Sequence, residues 1–162
     1  GTTLFGLMKH YKTQPNEFLN FVHDVDLSGL KKCRKLFKGI NKLPGKKIIY
    51  TNGDEKYAKK VLEAIGINSL FEFILDIKKS HYLPKPSIEP LINYLNKINV
   101  KTEHCVYFED LEKNLENAHK IGIMTVHITE EDLKKNSFKS FIDFRFNSIL
   151  KALDMINKTL NK

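Results

Sequence analysis

The stretch Lys47-Ile-Ile-Tyr-Thr-Asn-Gly53 constrains this chain more than any other. Ile48, Ile49 and Tyr50 form a short, β-prone apolar run, set off by Pro44-Gly45 upstream. Beyond Gly53 the hydrophobic period changes. Ala58, Val61, Leu62 and Ile65 fall at i, i+3, i+4 and i+7, one face of a helix, and Gly66 stands where a helix often takes a left-handed terminator. The stretch therefore reads as a buried strand that ends on a hydroxyl, an amide and a glycine at the start of a helix. In open α/β sheets, strand ends of this kind are where ligands bind, and a helix amino terminus suits anions.

The same change of period recurs downstream. Phe71-Glu-Phe-Ile-Leu-Asp76 is a second short strand, Cys105-Val-Tyr-Phe108 a third, Ile123 to Ile128 a fourth and Phe141 to Phe146 a fifth. Helix-spaced sets lie between and after them: Ile88, Leu91, Ile92, Leu95 and Ile98; Leu111, Leu115 and Ala118, stopped at Gly122; and Ile149, Leu150, Leu153, Ile156 and Leu160. This alternation predicts an α/β fold, a parallel sheet with helices on both faces. Upstream the spacing is helical. Leu4, Leu7, Met8 and Tyr11, then Phe18, Phe21 and Val22, separated at Pro15-Asn16, predict a small helical hairpin. A polar break, His23-Asp-Val-Asp-Leu-Ser28, leads to a short helix ending near Phe37. Lys42-Leu-Pro-Gly-Lys46 is the turn into the first strand.

Charge narrows the partners. The net charge is +8, but only Arg34 and Arg145 are arginines, and the lysines are scattered in pairs without a long basic run. That is a solvated surface with a modest attraction for small anions, not a nucleic-acid interface. No apolar run is long enough to span a membrane, and Gly1-Thr-Thr-Leu lacks the features of a signal peptide. Cys33 and Cys105 have no metal spacing and make no disulfide framework. Cys105, inside an apolar run, reads as a buried hydrophobe. A reducing, cytoplasmic setting fits both.

Three features stand at strand ends or the loops beside them: Thr51-Asn52-Gly53, Lys85 between Pro84 and Pro86, and Glu109-Asp110. About one β-α unit separates each from the next, so all three are expected at one sheet edge. A hydroxyl, an ammonium and a carboxylate pair are what magnesium-dependent phosphoryl transfer needs. The hydroxyl and the helix amino terminus hold phosphate oxygens, and the lysine offsets charge that builds up during transfer. The carboxylates are hard oxygen ligands for Mg²⁺.

In this order, Tyr-Thr-Asn-Gly at 50–53, Lys-Pro at 85–86 and Phe-Glu-Asp at 108–110 resemble motifs II, III and IV of the haloacid dehalogenase (HAD) superfamily of phosphohydrolases. The finer resemblance is to its pyrimidine 5′-nucleotidase-like branch. It rests on Gly-Thr-Thr-Leu-Phe-Gly-Leu at 1–7, Val-His-Asp-Val-Asp-Leu-Ser at 22–28, Leu-Pro-Gly-Lys-Lys at 43–47 and Thr-Asn-Gly at 51–53. Asn114-Leu115 after Phe-Glu-Asp-Leu, and Gly122-Ile-Met-Thr-Val126, continue it. The resemblance implies a Rossmann-like core over 43–162 and, over 1–42, the remainder of a small helical cap with its hinge. It implies that Thr51 and Lys85 are catalytic, that Asn52 and Gly53 help them bind phosphate, and that Glu109 and Asp110 hold Mg²⁺. The implied substrate is a nucleoside monophosphate or similar small phosphate ester, hydrolysed through an aspartyl-phosphate.

Motif I, the Asp-x-Asp-x-Thr that carries the family's nucleophile, has no counterpart in the expected place. Asp24-Val-Asp-Leu-Ser28 fits Asp-x-Asp-x-Ser, but Phe18-Leu-Asn-Phe-Val22 before it has helical spacing, so these aspartates read as caps of a helix or turn. The expectation is a chain truncated before Gly1, lacking the central motif I strand and inactive by itself, or one that takes that strand from a dimer mate or another partner. The competing reading is a non-catalytic remnant that binds phosphate or a partner chain.

Overall fold

A computed structural model describes residues 2–130 and 139–160. The chain forms two compact units, Gly1–Phe37 with Pro44–Lys85, and Lys38–Leu43 with Pro86–Lys162. Both have parallel sheets flanked by helices, the α/β class that the alternating period predicts. The described strands form two sheets, one of two strands and one of three.

In the first unit, α1 (Thr3–Tyr11) and α2 (Pro15–Val22) are the expected hairpin. The Thr2 hydroxyl caps α1 by accepting the Phe5 amide at 3.2 Å. Pro15 opens α2, where a missing N–H is tolerated. Leu4 of α1, Leu19 of α2 and Ile77 form one buried cluster with Met8, Phe18 and Tyr82 packed against it. Because α2 ends at Val22, a helix and not a strand precedes Asp24. Asp26 closes a turn, its two carboxylate oxygens accepting the Ser28 amide at 2.9 Å and the Ser28 hydroxyl at 2.8 Å.

Strands β1 (Ile48–Tyr50) and β2 (Phe73–Leu75) pair in parallel, with Ile48 opposite Phe73 and Tyr50 opposite Leu75. Helix α4 (Glu55–Ile65) is the crossover between them. Asp54 caps its start, and Gly66 ends it with a left-handed backbone (φ 78°). The expectation of a buried first strand is corrected: Ile48, Ile49 and Tyr50 are all half-buried. Among the described residues β1 has β2 as its one strand neighbour. A parallel strand loses its remaining exposure only when neighbours and helices cover it fully.

Helix α3 (Arg34–Lys42) starts in the first unit and ends in the second, running past the expected stop at Phe37. Gly39 weakens its helical propensity, but packing overrides that. A Cβ at Gly39 would come within 3.0 Å of Leu153 Cδ1, and the Asn157 side-chain amide donates to the Gly39 carbonyl at 3.0 Å. Leu153 and Asn157 belong to α7 (Ile149–Leu160).

The second unit is otherwise built on β3 (Val106–Glu109), β4 (Met124–Ile128) and β5 (Phe144–Phe146), parallel and in that order. Helices α5 (Glu89–Lys97), α6 (Glu112–Lys120) and α7 complete it. Leu115, Ala118, Val126 and Ala152 have no accessible surface. The fifth strand begins later than expected because side chains tie down the residues before it. The Thr125 amide donates to Asp143 Oδ2 at 2.7 Å, and the Thr125 hydroxyl donates to the Phe141 carbonyl at 2.8 Å. Cys105 is half-buried rather than buried, since it precedes β3. No described helix is long and apolar enough to cross a membrane.

Leu115→Ala should cost about 2–5 kcal/mol of unfolding free energy, because it opens a cavity at a fully enclosed position. Gly66→Ala should cost about 1 kcal/mol through its left-handed backbone. Urea denaturation of both variants checks these values.

Candidate functional site

The first unit brings four of the sequence-predicted residues together. Beyond β1 the Thr51 amide makes one more ladder bond, to the Leu75 carbonyl at 3.0 Å. The chain then turns, and the Gly53 amide donates to Thr51 Oγ1 at 3.0 Å. That bond fixes the hydroxyl as an acceptor and leaves its own proton to donate to a ligand. Asn52 Oδ1 accepts the Lys85 backbone amide at 2.7 Å, which fastens the proline-flanked lysine to the same loop. The Lys85 ammonium stands 5.7 Å from the centre of the Tyr50 ring. Burial pushes the Tyr50 phenol up to about 12, so that ring stays neutral beneath the lysine at ordinary pH.

The start of α4 differs from the sequence expectation. Its amides are already engaged by carboxylates of the protein: Asp54 Oδ1 accepts from Tyr57 at 2.8 Å, and Asp76 Oδ2 accepts from Glu55 at 2.9 Å. The Glu55 and Tyr57 amides are therefore not open to an anion at this helix start. Asp76 is a residue that sequence reasoning missed. It is buried, and its other oxygen accepts the Lys79 amide at 2.9 Å. The available signal was its position: it follows β2 as Thr51 follows β1, since Tyr50 and Leu75 are register partners.

Beside the loop, the His23 ring stacks on Tyr57 with centroids 4.3 Å apart. Its Nδ1 lies 3.3 Å from Asp54 Oδ1. These groups border a cavity of about 490 Å³ that Asp24, Lys56 and Lys60 also line.

The second unit holds the carboxylate pair at the end of β3. Glu109 is buried and its oxygens are engaged: Oε1 accepts the Asp110 and Leu111 amides, both at 3.2 Å, and Oε2 accepts the Tyr107 hydroxyl at 2.9 Å. Asp110 is exposed. Its backbone carbonyl is held by His127 Nε2 at 2.9 Å; a carbonyl only accepts, so that nitrogen carries the ring proton. Among the described residues no three His, Cys, Asp or Glu side chains are grouped to hold a metal ion. Mg²⁺ does not require such a cage, since it keeps several waters and takes one or two carboxylates. Asp110 fits that role, with Glu109 fixing the backbone around it.

Glu112 sits beside this loop. The Lys139 ammonium hydrogen-bonds it at 2.7 Å and Arg145 approaches at 3.5 Å. The Lys139 bond holds its carboxyl below the usual glutamate range.

Residues 7–128 match the family model described as haloacid dehalogenase-like hydrolase. Glyceraldehyde 3-phosphate phosphatase of Methanocaldococcus jannaschii is 27% identical over 99 residues, which are 60% of this chain and 42% of that protein. The chain thus spans less than half of that relative's length. A predicted phosphoglycolate phosphatase from Haemophilus somnus superposes with a TM-score of 0.67 and 17% identity, over 94% of this chain and 73% of the other. A HAD phosphatase from Thermococcus onnurineus gives a TM-score of 0.61 and 16% identity, over 96% and 69% of the two chains. At such identities the likeness is one of fold.

Two outcomes check the site's anatomy. Asn52→Ala should speed hydrogen exchange at the Lys85 amide about fivefold or more, the loss of one hydrogen bond worth about 1 kcal/mol. Glu112→Gln should lower stability by about 1 kcal/mol at neutral pH. A depressed carboxyl stabilises the fold above its ordinary value and stops doing so as pH falls through its folded value. The deficit should therefore hold above pH 4.5 and vanish on acidification below it, as read by urea midpoints across pH.

Proposed function

The chain belongs to the haloacid dehalogenase-like hydrolase family, and from that premise we propose that it is the phosphate-holding and metal-holding part of a cytoplasmic Mg²⁺-dependent phosphohydrolase. We assign it to the pyrimidine 5′-nucleotidase type, with a nucleoside monophosphate or similar small phosphate ester as substrate. The observation that carries this is the 2.7 Å hydrogen bond between the Lys85 amide and Asn52 Oδ1, which unites a hydroxyl loop and an ammonium group. The relatives' names, glyceraldehyde 3-phosphate phosphatase and phosphoglycolate phosphatase, support a small phosphate monoester.

In this reading the Thr51 hydroxyl donates to an oxygen of the phosphoryl group. Gly53 keeps the loop open to it, and Asn52 positions Lys85. The lysine ammonium offsets charge as the phosphoryl group leaves the ester oxygen for a carboxylate, and that oxygen takes up a proton and departs as the alcohol. Water then attacks the acyl phosphate, releasing phosphate and restoring the carboxylate. Bound Mg²⁺ supplies further charge neutralisation, with Asp110 as the carboxylate that would hold it and Glu109 as the group that fixes the Asp110 backbone.

The nucleophilic carboxylate is assigned to a segment outside these 162 residues. Asp26 is engaged in its turn with Ser28, and Asp24 follows a helix. Strands β1 and β3 each have one strand neighbour among the described residues, which supports an added strand from an upstream segment, a dimer mate or another partner.

The test is Mg²⁺-dependent phosphate release from a panel of nucleoside monophosphates and small sugar and acid phosphates. The form carrying an upstream Asp-x-Asp-x-Thr strand should turn over, and Lys85→Ala should lower its kcat/KM by about 10²–10³. The 162 residues alone should release no phosphate. Turnover by these residues overturns the assignment of an external nucleophile, and an unaffected Lys85→Ala variant overturns the cradle.

A further inference from the structure

We propose that His23 is a further oxyanion ligand of the Thr51–Gly53 cradle, donating from Nε2 into the space left by the absent side chain of Gly53. The proposal rests on the reading that this loop and Lys85 hold a phosphoryl group. It adds a residue, from a segment otherwise without a role, to the groups that contact the anion.

The starting point is Gly53 itself. The glycines with left-handed backbone are Gly45, Gly66 and Gly122, so backbone conformation does not require a glycine at 53. Steric clash does not require it either. A Cβ there would lie 3.4 Å from Thr51 Oγ1, 3.5 Å from His23 Nε2 and 3.7 Å from His23 Cε1, all ordinary van der Waals contacts. What the glycine provides is space. One hydroxyl and one ring nitrogen border that space, and the hydroxyl is the group already assigned to a phosphoryl oxygen.

The His23 ring is held for this use. The residue caps the end of α2, its amide donating to the Leu19 carbonyl at 3.1 Å. Its ring lies flat on Tyr57, with an interplanar angle of 1°. Nδ1 is buried without an aligned hydrogen bond, yet it stands 3.3 Å from the Asp54 carboxylate. The contact is therefore electrostatic attraction to a carboxylate that the Tyr57 amide already fixes at 2.8 Å.

A carboxylate on the Nδ1 side favours a proton there, so donation from Nε2 requires the imidazolium form. The charged groups around the ring are Asp54, Lys78 at 3.9 Å from Asp54, and Asp24, Lys56 and Lys60 on the cavity wall. Asp54 Oδ1 faces Nδ1 on one side, and an oxyanion over Gly53 would face Nε2 on the other. His23 would thus serve one of the phosphoryl oxygens while Thr51 and Lys85 serve others.

The experiment titrates the chain with inorganic phosphate. It reads the dissociation constant by calorimetry and the ring nitrogens by NMR on histidine-labelled protein, for wild type, His23→Gln and Gly53→Ala. Phosphate should move the His23 Nε2 resonance in wild type. His23→Gln should weaken binding about tenfold, the scale of one charge-assisted hydrogen bond. Gly53→Ala, which the backbone accommodates, should fill the space, weaken phosphate and leave the His23 resonance unmoved. It keeps the test valid if His23→Gln disturbs the stack on Tyr57. Phosphate binding to wild type with His23 Nε2 unmoved, or equal binding by Gly53→Ala, overturns the role of His23 and leaves the cradle standing. Failure of wild type to bind phosphate overturns the cradle and this inference together.

Discussion

A hydrogen bond spanning 33 residues, from the Lys85 amide to Asn52 Oδ1 at 2.7 Å, organises the loop end of the first unit. Its strength as a constraint comes from its neighbours. Pro84 and Pro86 have no amide proton, so Lys85 carries the one backbone donor of that tripeptide. Asn52 receives it, and the register of the segment on the loop is thereby defined. The rings of both prolines also restrict the backbone around the lysine, so little freedom remains to be lost on binding an anion. The loop is tied from the opposite side as well, by the Thr51 amide on Leu75 and the Ile77 amide on the Gly53 carbonyl at 3.1 Å.

The alternation of strand and helix was readable because it depends on local hydrophobic period, which every five-residue run displays independently. All five strands and the helical hairpin occur in the predicted order, although several strand ends shift and the fifth begins only at Phe144. The misreadings share a different cause, namely dependence on residues distant in sequence. Helix α3 outruns Phe37 because Leu153 packs on Gly39 and Asn157 holds its carbonyl. Strand β1 is half-buried because exposure depends on how many neighbours flank a strand, which its own apolar residues do not encode.

Site residues divide along the same line. Thr51, Asn52, Gly53, Glu109 and Asp110 could be picked out because they follow apolar runs, and Lys85 because prolines flank it. Asp76 ends such a run too, yet its partner is the Glu55 amide, 21 residues upstream, and no spacing rule points there. Glu109 and Asp110 look equivalent in sequence and differ in the fold. One carboxylate is buried and turned onto its own loop, while the other is exposed. The register of β3 on β4 adds His127 beside them, a contact that only strand pairing creates. Fold and family together still leave the substrate to be argued from such side chains.

Asp54, Glu55 and Asp76 all stand near the Thr51–Gly53 loop, and each of these carboxylates has partners of its own. Asp54 and Asp76 accept amides of the first turn of α4, where the helix dipole is positive. Glu55 is bridged by Lys59 at 2.8 Å and Lys79 at 2.7 Å, and those two lysines, Lys59 foremost, hold its carboxyl below the usual range. Lys79 also donates to the Ile74 carbonyl, which anchors the pair to β2. Each of these three carboxylates is thus matched by a dipole or an ammonium of its own, and the overall excess of +8, carried largely by lysines, favours small anions over cations at the surface.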